Sequence, residues 1–290
     1  MAQPDSTGLW FEDGTIIIQA GDTLFRVYSG LLSRQSPMLV TQGEPLGTMK
    51  GCPLVLHQES AERMRKFLHC LINSSHISSP TTPQTIFDLR ETSDRYGACR
   101  LLQMTVACLS AMYPSEYRDF VAIAQQVDHV RAHPFDYTSL GCNIAVANLA
   151  RKTPDLHVLL PVALYRLCKF DPKSVHDGGL APENLRALMI GRPKISSAGR
   201  GITIRLGGNC ECVRRDFDCQ AARTQLIIKL GGEDGWVDPF DMQLVTVASG
   251  LCRLCIPPSP QGYGIIPAWD NLPLFFELPR WSQLTGADFL

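Results

Sequence analysis

The chain has 290 residues, of which 45% are hydrophobic and 19% charged, with a mean hydropathy close to zero. That composition excludes a disordered or fibrous chain, and a 32.1 kDa chain can bury a sizeable core in about two domains. Net charge is −1 and evenly spread: nine Lys/Arg against ten Asp/Glu over 1–113, eight against eight over 114–190, and ten against ten over 191–290. No segment has the basic excess that nucleic acid or an anionic membrane surface requires, so neither partner is expected.

The N-terminus lacks a charged-then-apolar signal pattern, and the apolar run Val158–Leu164 is far shorter than the ~20 residues that span a bilayer. Eleven cysteines, an odd number, point to a reducing intracellular compartment; nucleus and cytoplasm are not distinguished.

In chain order, Thr15-Ile16-Ile17-Ile18-Gln19 is β-branched and predicts a strand. Ala20-Gly21-Asp22 is turn chemistry, and Thr23–Tyr28 predicts the partner strand of a hairpin. Ser29 is placed to cap a short helix through Leu31, Leu32 and Gln35, which Pro37 ends or bends. Gln42–Lys50 reads as a Gly/Pro loop before a short strand at Leu54–Leu56. Ser60 then caps a helix whose Met64, Phe67, Leu68 and Leu71 recur at helical spacing. Helices are predicted over Ile86–Tyr96 and Leu101–Met112, with Pro114 closing the unit.

The middle of the chain predicts helices after Ser115, over Leu140–Leu149 and over Leu156–Cys168, where Pro161 starts or kinks the last. Pro182-Glu183 opens a short helix that Gly191 ends. Beyond it, recurrent glycines and five cysteines predict an irregular module with a Pro- and aromatic-rich tail.

The first third resembles a known family. Phe25-Arg26-Val27-Tyr28-Ser29-Gly30-Leu31-Leu32-Ser33-Arg34-Gln35-Ser36-Pro37-Met38-Leu39 is similar to the second strand and following helix of BTB/POZ domains. Phe25, Leu32 and Ser36 match the family's Phe, Leu and Ser; Leu39 stands for its final Phe, and Asp13 for its Asp. Tyr28 and Ser29 replace the usual His and basic residue. The later elements follow in the family's order.

The remainder resembles the C-terminal part of a BTB subfamily without Kelch or zinc-finger repeats. The residues that carry this are Leu251-Cys252-Arg253-Leu254-Cys255 and a tail from Trp269-Asp270-Asn271-Leu272-Pro273 to Leu278-Pro279-Arg280-Trp281. The combined expectation is an α+β chain. It comprises a BTB/POZ-like domain at 10–113 (a small sheet with helical hairpins), a helical region at 114–191 and a Cys-rich module at 192–290. The resemblance implies a self-association surface at Asp13, Tyr28, Leu31, Leu32 and Met38.

The sharpest chemical pattern is Cys210-x-Cys212-x6-Cys219-x32-Cys252-x2-Cys255. A Cys-x2-Cys knuckle supplies two thiolates to tetrahedral zinc, and a second pair would close the site. Cys210, Cys219, Cys252 and Cys255 are the candidate ligands of one structural zinc, with Cys212 as the alternative. Reduced, partly buried thiols and a redox pair at Cys252 and Cys255 are the competing readings. The cysteines at 52, 70, 99, 108, 142 and 168 lie mostly on apolar patterns and read as core filler.

No Gly-x-Ser-x-Gly elbow, His-Glu-x-x-His or Walker loop is present, so no catalytic residue and no other cofactor is expected. The Trp269–Trp281 tail reads as packing within the chain rather than as a docking peptide, because its bulky aromatics would be an aggregation risk if exposed. The sequence therefore predicts a non-catalytic protein-interaction module, with a protein partner or a second copy as ligand. Two alternatives stand beside it: a substrate adaptor of a cullin-type ubiquitin ligase, and a thiol-based redox protein. The Gln42–Lys50 loop lacks the apolar-x-Glu pattern of cullin-binding members, which ranks the adaptor second.

Overall fold

The structure, a computed structural model, describes residues 2–73, 82–125, 136–207, 218–230, 236–240 and 264–285. The fold class is α+β. The chain divides into two compact units, one of Met1–Ala111 with His129–Asp136 and one of Met112–Asp128 with Tyr137–Leu290.

The first unit is built on a mixed five-stranded sheet of order β1-β3-β2-β5-β4. Its strands are β1 (Gln3–Pro4), β2 (Ile16–Ala20), β3 (Thr23–Val27), β4 (Glu44–Met49) and β5 (Cys52–His57). β2 and β3 pair antiparallel through the two-residue turn Gly21-Asp22, where Gly21 takes φ 54°. Only a residue without Cβ accepts that backbone cheaply. β2 lies between β3 and β5, parallel to β5, and Ile16, Ile17 and Ile18 are all buried. A continuous apolar run, rather than an alternating one, is what a strand covered on both faces needs.

Five helices accompany the sheet among the described residues. After the hairpin come α1 (Ser29–Gln35) and α2 (Pro37–Thr41), broken at Ser36; after β5 come α3 (Ala61–Ile72), α4 (Pro83–Arg95) and α5 (Cys99–Met112). Ser60 caps α3 by accepting from Arg63 N, and Met64, Phe67, Leu68 and Leu71 form its buried stripe. Thr82 caps α4 by accepting from Thr85 N. An ion network ties α3 to α4: Arg63 donates to Asp88 and Glu91 at 2.7 Å each, and buried Glu59 receives Arg95.

Three local expectations change. Gln42–Lys50 is not a loop: β4 occupies most of it and forms a hairpin with β5 through Lys50-Gly51, both at positive φ (49° and 76°). β4 is an edge strand with all six residues exposed, so it carries no apolar alternation to read. β1 was not anticipated either; it is a two-residue pairing, fixed by Asp5. The buried Asp5 carboxylate accepts from Thr7 N, Thr7 Oγ1, Leu9 N and Arg65 Nε. Ser29 does not cap α1; Tyr28 holds that position, and the Ser29 hydroxyl instead pairs with Thr15 Oγ1 at 2.9 Å.

The second unit is helical among the described residues. It holds α6 (Tyr117–Gln125), α7 (Leu140–Lys152), a 3-10 turn (Pro154–Leu159), α8 (Leu160–Leu167), α9 (Pro172–Asp177), α10 (Pro182–Gly207) and α11 (Cys219–Leu230). Three short helices close it: α12 (Ile265–Asp270), α13 (Leu272–Phe275) and α14 (Trp281–Leu284). Every residue of α8 is buried, and Pro161 sits in its first turn, where its missing N–H costs nothing. The charged member of α8, Arg166, is sandwiched between the rings of Tyr113 and Tyr137 at 4.7 and 4.6 Å. Two fully buried amides join α7 to its surroundings. Asn143 bonds Tyr113 OH, Tyr137 O and Ser139 O; Asn184 bonds Arg151 Nε, Ala147 O and Asn148 Oδ1.

The short helix expected to stop at Gly191 is corrected to a 26-residue helix that runs on through Pro193, Gly199 and Gly201. The boundary read at 191/192 therefore falls inside α10. Gly191 is there for contact: a Cβ on it would lie 2.2 Å from the Phe276 ring, and one on Gly199 would lie 2.4 Å from Val237 O.

Candidate functional site

The residues expected to form a self-association surface separate into three groups. Asp13 and Tyr28 are brought together, because the β2–β3 hairpin sets the segment that leads into β2 beside the residue after β3. The Tyr28 hydroxyl donates to Asp13 Oδ1 at 2.7 Å, and its ring lies 5.1 Å from that of Phe11. The hydrogen bond to the carboxylate raises the Tyr28 phenol above its ordinary pKa.

Leu31 and Met38 lie on α1 and α2, half-buried and 44% exposed respectively. Met38 also packs toward Gly97, the turn between α4 and α5, which takes φ 68°. Leu32, by contrast, is fully buried. It belongs to the core of the unit and is not part of an exposed face.

Ser36 owes its place to a different task. It is fully buried at the α1–α2 break, and its hydroxyl donates to Tyr96 O at 2.9 Å. That bond fastens the two short helices to the end of α4. The sequence reading missed the apolar side chains on β4, Leu46 at 46% and Met49 at 37% exposed. The signal available was Gly51 after Lys50, a two-residue hairpin turn ahead of a recognised strand.

Of the five candidate metal ligands, Cys210, Cys212, Cys252 and Cys255 lie outside the described residues. Cys219 is described and is buried at the start of α11. Among the described residues there is no group of three or more His, Cys, Asp or Glu side chains placed to hold a metal ion. Cys52, Cys70, Cys142 and Cys168 are buried, Cys108 is intermediate and Cys99 is exposed. Burial pushes the Cys70 thiol up to about 11 and raises those of Cys108 and Cys168.

The aromatic tail packs within the second unit. Trp269 is buried among Tyr117, Phe120 and Phe240, with ring centroids 4.7–5.6 Å apart, and its Nε1 donates to Ser115 O at 2.6 Å. Trp281 stacks on Trp269 at 6.3 Å and donates to its carbonyl at 3.0 Å. His57, which ends β5, is buried beside Tyr96, and burial lowers its pKa, so it is neutral near pH 7.

Among the described residues no helix is long and apolar enough to cross a membrane. No family model, curated protein or solved structure matches the chain.

Proposed function

We propose that the first unit is a BTB/POZ-like interaction domain and that the protein acts without bond chemistry, by self-association or by binding a protein partner. The carrying observation is the order of elements. A hairpin is followed by a helix pair, then by a second hairpin, β4–β5, whose strand β5 is parallel to β2, then by one helix and a second helix pair. Apart from β4 and the break of the first helix at Ser36, that is the order of elements expected from the sequence. Leu31 and Met38 supply the apolar contact area on α1 and α2, and the Asp13–Tyr28 pair supplies a polar element at the end of the hairpin.

The test is light scattering of the purified chain over a range of concentrations, with the Leu31→Glu/Met38→Glu double variant in parallel. The expected result is a dimer that becomes a folded monomer in the variant. A wild-type monomer at every concentration would overturn self-association, and a variant dimer would move the contact away from α1 and α2.

A further inference from the structure

His57 ends β5 with its imidazole enclosed, 4% exposed, and its Nε2 atom is buried without a hydrogen-bond partner. Leu39 on α2, Val55 on β5 and Tyr96 after α4 are buried too, and the Tyr96 ring meets the imidazole edge-on at 5.1 Å. Gly43, in the corner that joins α2 to β4, lies directly against the imidazole. A Cβ on Gly43 would come within 2.8 Å of His57 Nε2 and 2.9 Å of Val55 Cβ. The corner therefore closes over the ring at the nitrogen that has no partner.

Few described groups can share a proton's charge there. α2 brings no titratable side chain and acts on the ring through the Leu39 backbone. β2, paired to β5 at Ala20 and His57, brings none, and β4 begins with the exposed Glu44. The link from β5 to α3 brings Glu59, whose buried carboxylate already receives Arg95 of α4 and lies 3.5 Å from Arg63 of α3. The Tyr96 phenol is pushed up by burial and stays neutral. Glu59 and the Leu39 backbone favour a charged imidazole, but burial outweighs both and lowers the His57 pKa from 6.5.

A neutral imidazole can leave one nitrogen bare, whereas an imidazolium carries a donor on both. The closed corner presents no acceptor to Nε2. A charged donor buried without a partner is costlier than a neutral atom in the same place. Lifting Gln42 and Gly43 lets water reach Nε2 and removes that cost. Little opposes the movement: α2 has five residues, and β4 is an edge strand whose six residues are all exposed.

We infer that His57 and the Gln42–Gly43 corner form an acid-opened latch, closed over the neutral imidazole and released when the ring takes up a proton. In the open form the ring is solvated and titrates near its ordinary 6.5; the closed form holds it lower. The closed form is therefore favoured above pH 6.5 and loses ground as pH falls below it. Opening uncovers the apolar Leu39 and Val55 and frees the end of α2. α2 also carries Met38, so the latch acts on a helix of the proposed interaction surface, but it operates whether or not the chain self-associates.

The test is hydrogen exchange of the full chain, read by mass spectrometry at about pH 7.5 and about pH 5.5, with rates corrected for the intrinsic effect of pH. A proton taken up only in the open form multiplies the opening constant by up to about tenfold per pH unit below the ordinary histidine value. Exchange over residues 39–46 should therefore rise by about tenfold at the lower pH, while the β2–β3 hairpin is unchanged. His57→Gln cannot titrate and should abolish the rise. No rise at the corner, an equal rise in the hairpin, or an equal rise in the folded variant would overturn the latch. If the variant fails to fold, a nuclear magnetic resonance titration of the wild-type chain decides. A His57 midpoint below 6.5 that the Gly43 amide follows supports the latch. A midpoint at or above 6.5, or a Gly43 amide that does not respond, overturns it.

Discussion

The Tyr28 hydroxyl donates to Asp13 Oδ1 across the open end of the β2–β3 hairpin, in a hydrogen bond exposed to water between an exposed Asp13 and a half-buried Tyr28. An exposed pair of this kind contributes little to folding, because water competes for both groups. Its value would lie in presenting an oriented carboxylate to a partner. Tyr28→Phe should therefore leave the melting temperature unchanged and weaken self-association, measured by sedimentation equilibrium. A lower melting temperature with unchanged association would make the pair a structural one.

Gly191 tests whether α10 is continuous for the stated reason. In a helix exposed to solvent, Gly→Ala gains up to about 1 kcal/mol. Here the new Cβ would meet the buried Phe276 ring at 2.2 Å, and overpacking costs about 1–3 kcal/mol. The clash wins, so Gly191→Ala should destabilise. Gly141→Ala in α7, where no atom lies within 4 Å of the new Cβ, should stabilise. Thermal melts of the two variants should shift in opposite directions; a shift upward in both would remove the packing explanation for Gly191.

These positions also show what the residues reveal unaided. The β2–β3 hairpin was legible because Ile16–Ile18 and Gly21 act through local preference alone, and α3 because Ser60 and its apolar stripe agree. β4 was illegible because an edge strand has no buried face, and Pro45 and Gly47 mimic a loop. Gly191 and Pro193 imitate a helix end, yet what decides there is Phe276, some 85 residues on. The candidate surface was legible in part for the same reason. Asp13 and Tyr28 follow from the hairpin register, whereas the burial of Leu32 depends on how distant helices cover α1.

Asp5 predicts an acid-sensitive attachment of the N-terminal segment. Burial opposes ionisation, but hydrogen bonds from Thr7, Arg65 and Leu9 outweigh it, and the pKa is lowered from 3.8. A depressed carboxylate pKa stabilises the fold above the unfolded value and loses that contribution as pH falls through the folded one. Asp5→Asn should cost about 1–3 kcal/mol at neutral pH and flatten the acid limb of stability against pH. Urea midpoints measured from pH 6 to pH 2 check this; a variant curve parallel to wild type would refute it.

Arg166 sets a graded series. Its buried guanidinium lies between Tyr113 and Tyr137 and donates to Tyr137 O at 3.4 Å. Burial lowers its pKa, which marks the charged form as costly to hold there. Arg166→Ala leaves a cavity and should cost about 2–4 kcal/mol. Arg166→Met fills most of the volume without a charge and should cost less. Arg166→Lys should cost more than Arg166→Met, since an ammonium is more strongly hydrated and cannot spread between two rings. Denaturant midpoints of the three variants give the order directly.

The cysteine spacing carries the last prediction. Cys210, Cys219, Cys252 and Cys255 are expected to hold one zinc per chain, and zinc–thiolate bonds would supply folding energy to a stretch with little apolar patterning. Elemental analysis of the reduced protein should find that zinc, and Cys252→Ser/Cys255→Ser should lose it. Thiol counting separates this from the redox reading. Exposed Cys99 should alkylate first, while Cys70 and Cys168, buried and with raised pKa values, should react only on unfolding. With zinc bound, Cys252 and Cys255 should join the slow group until a chelator is added. Metal-free protein in which those two thiols alkylate faster than Cys99 would sink the zinc site and favour a reactive pair.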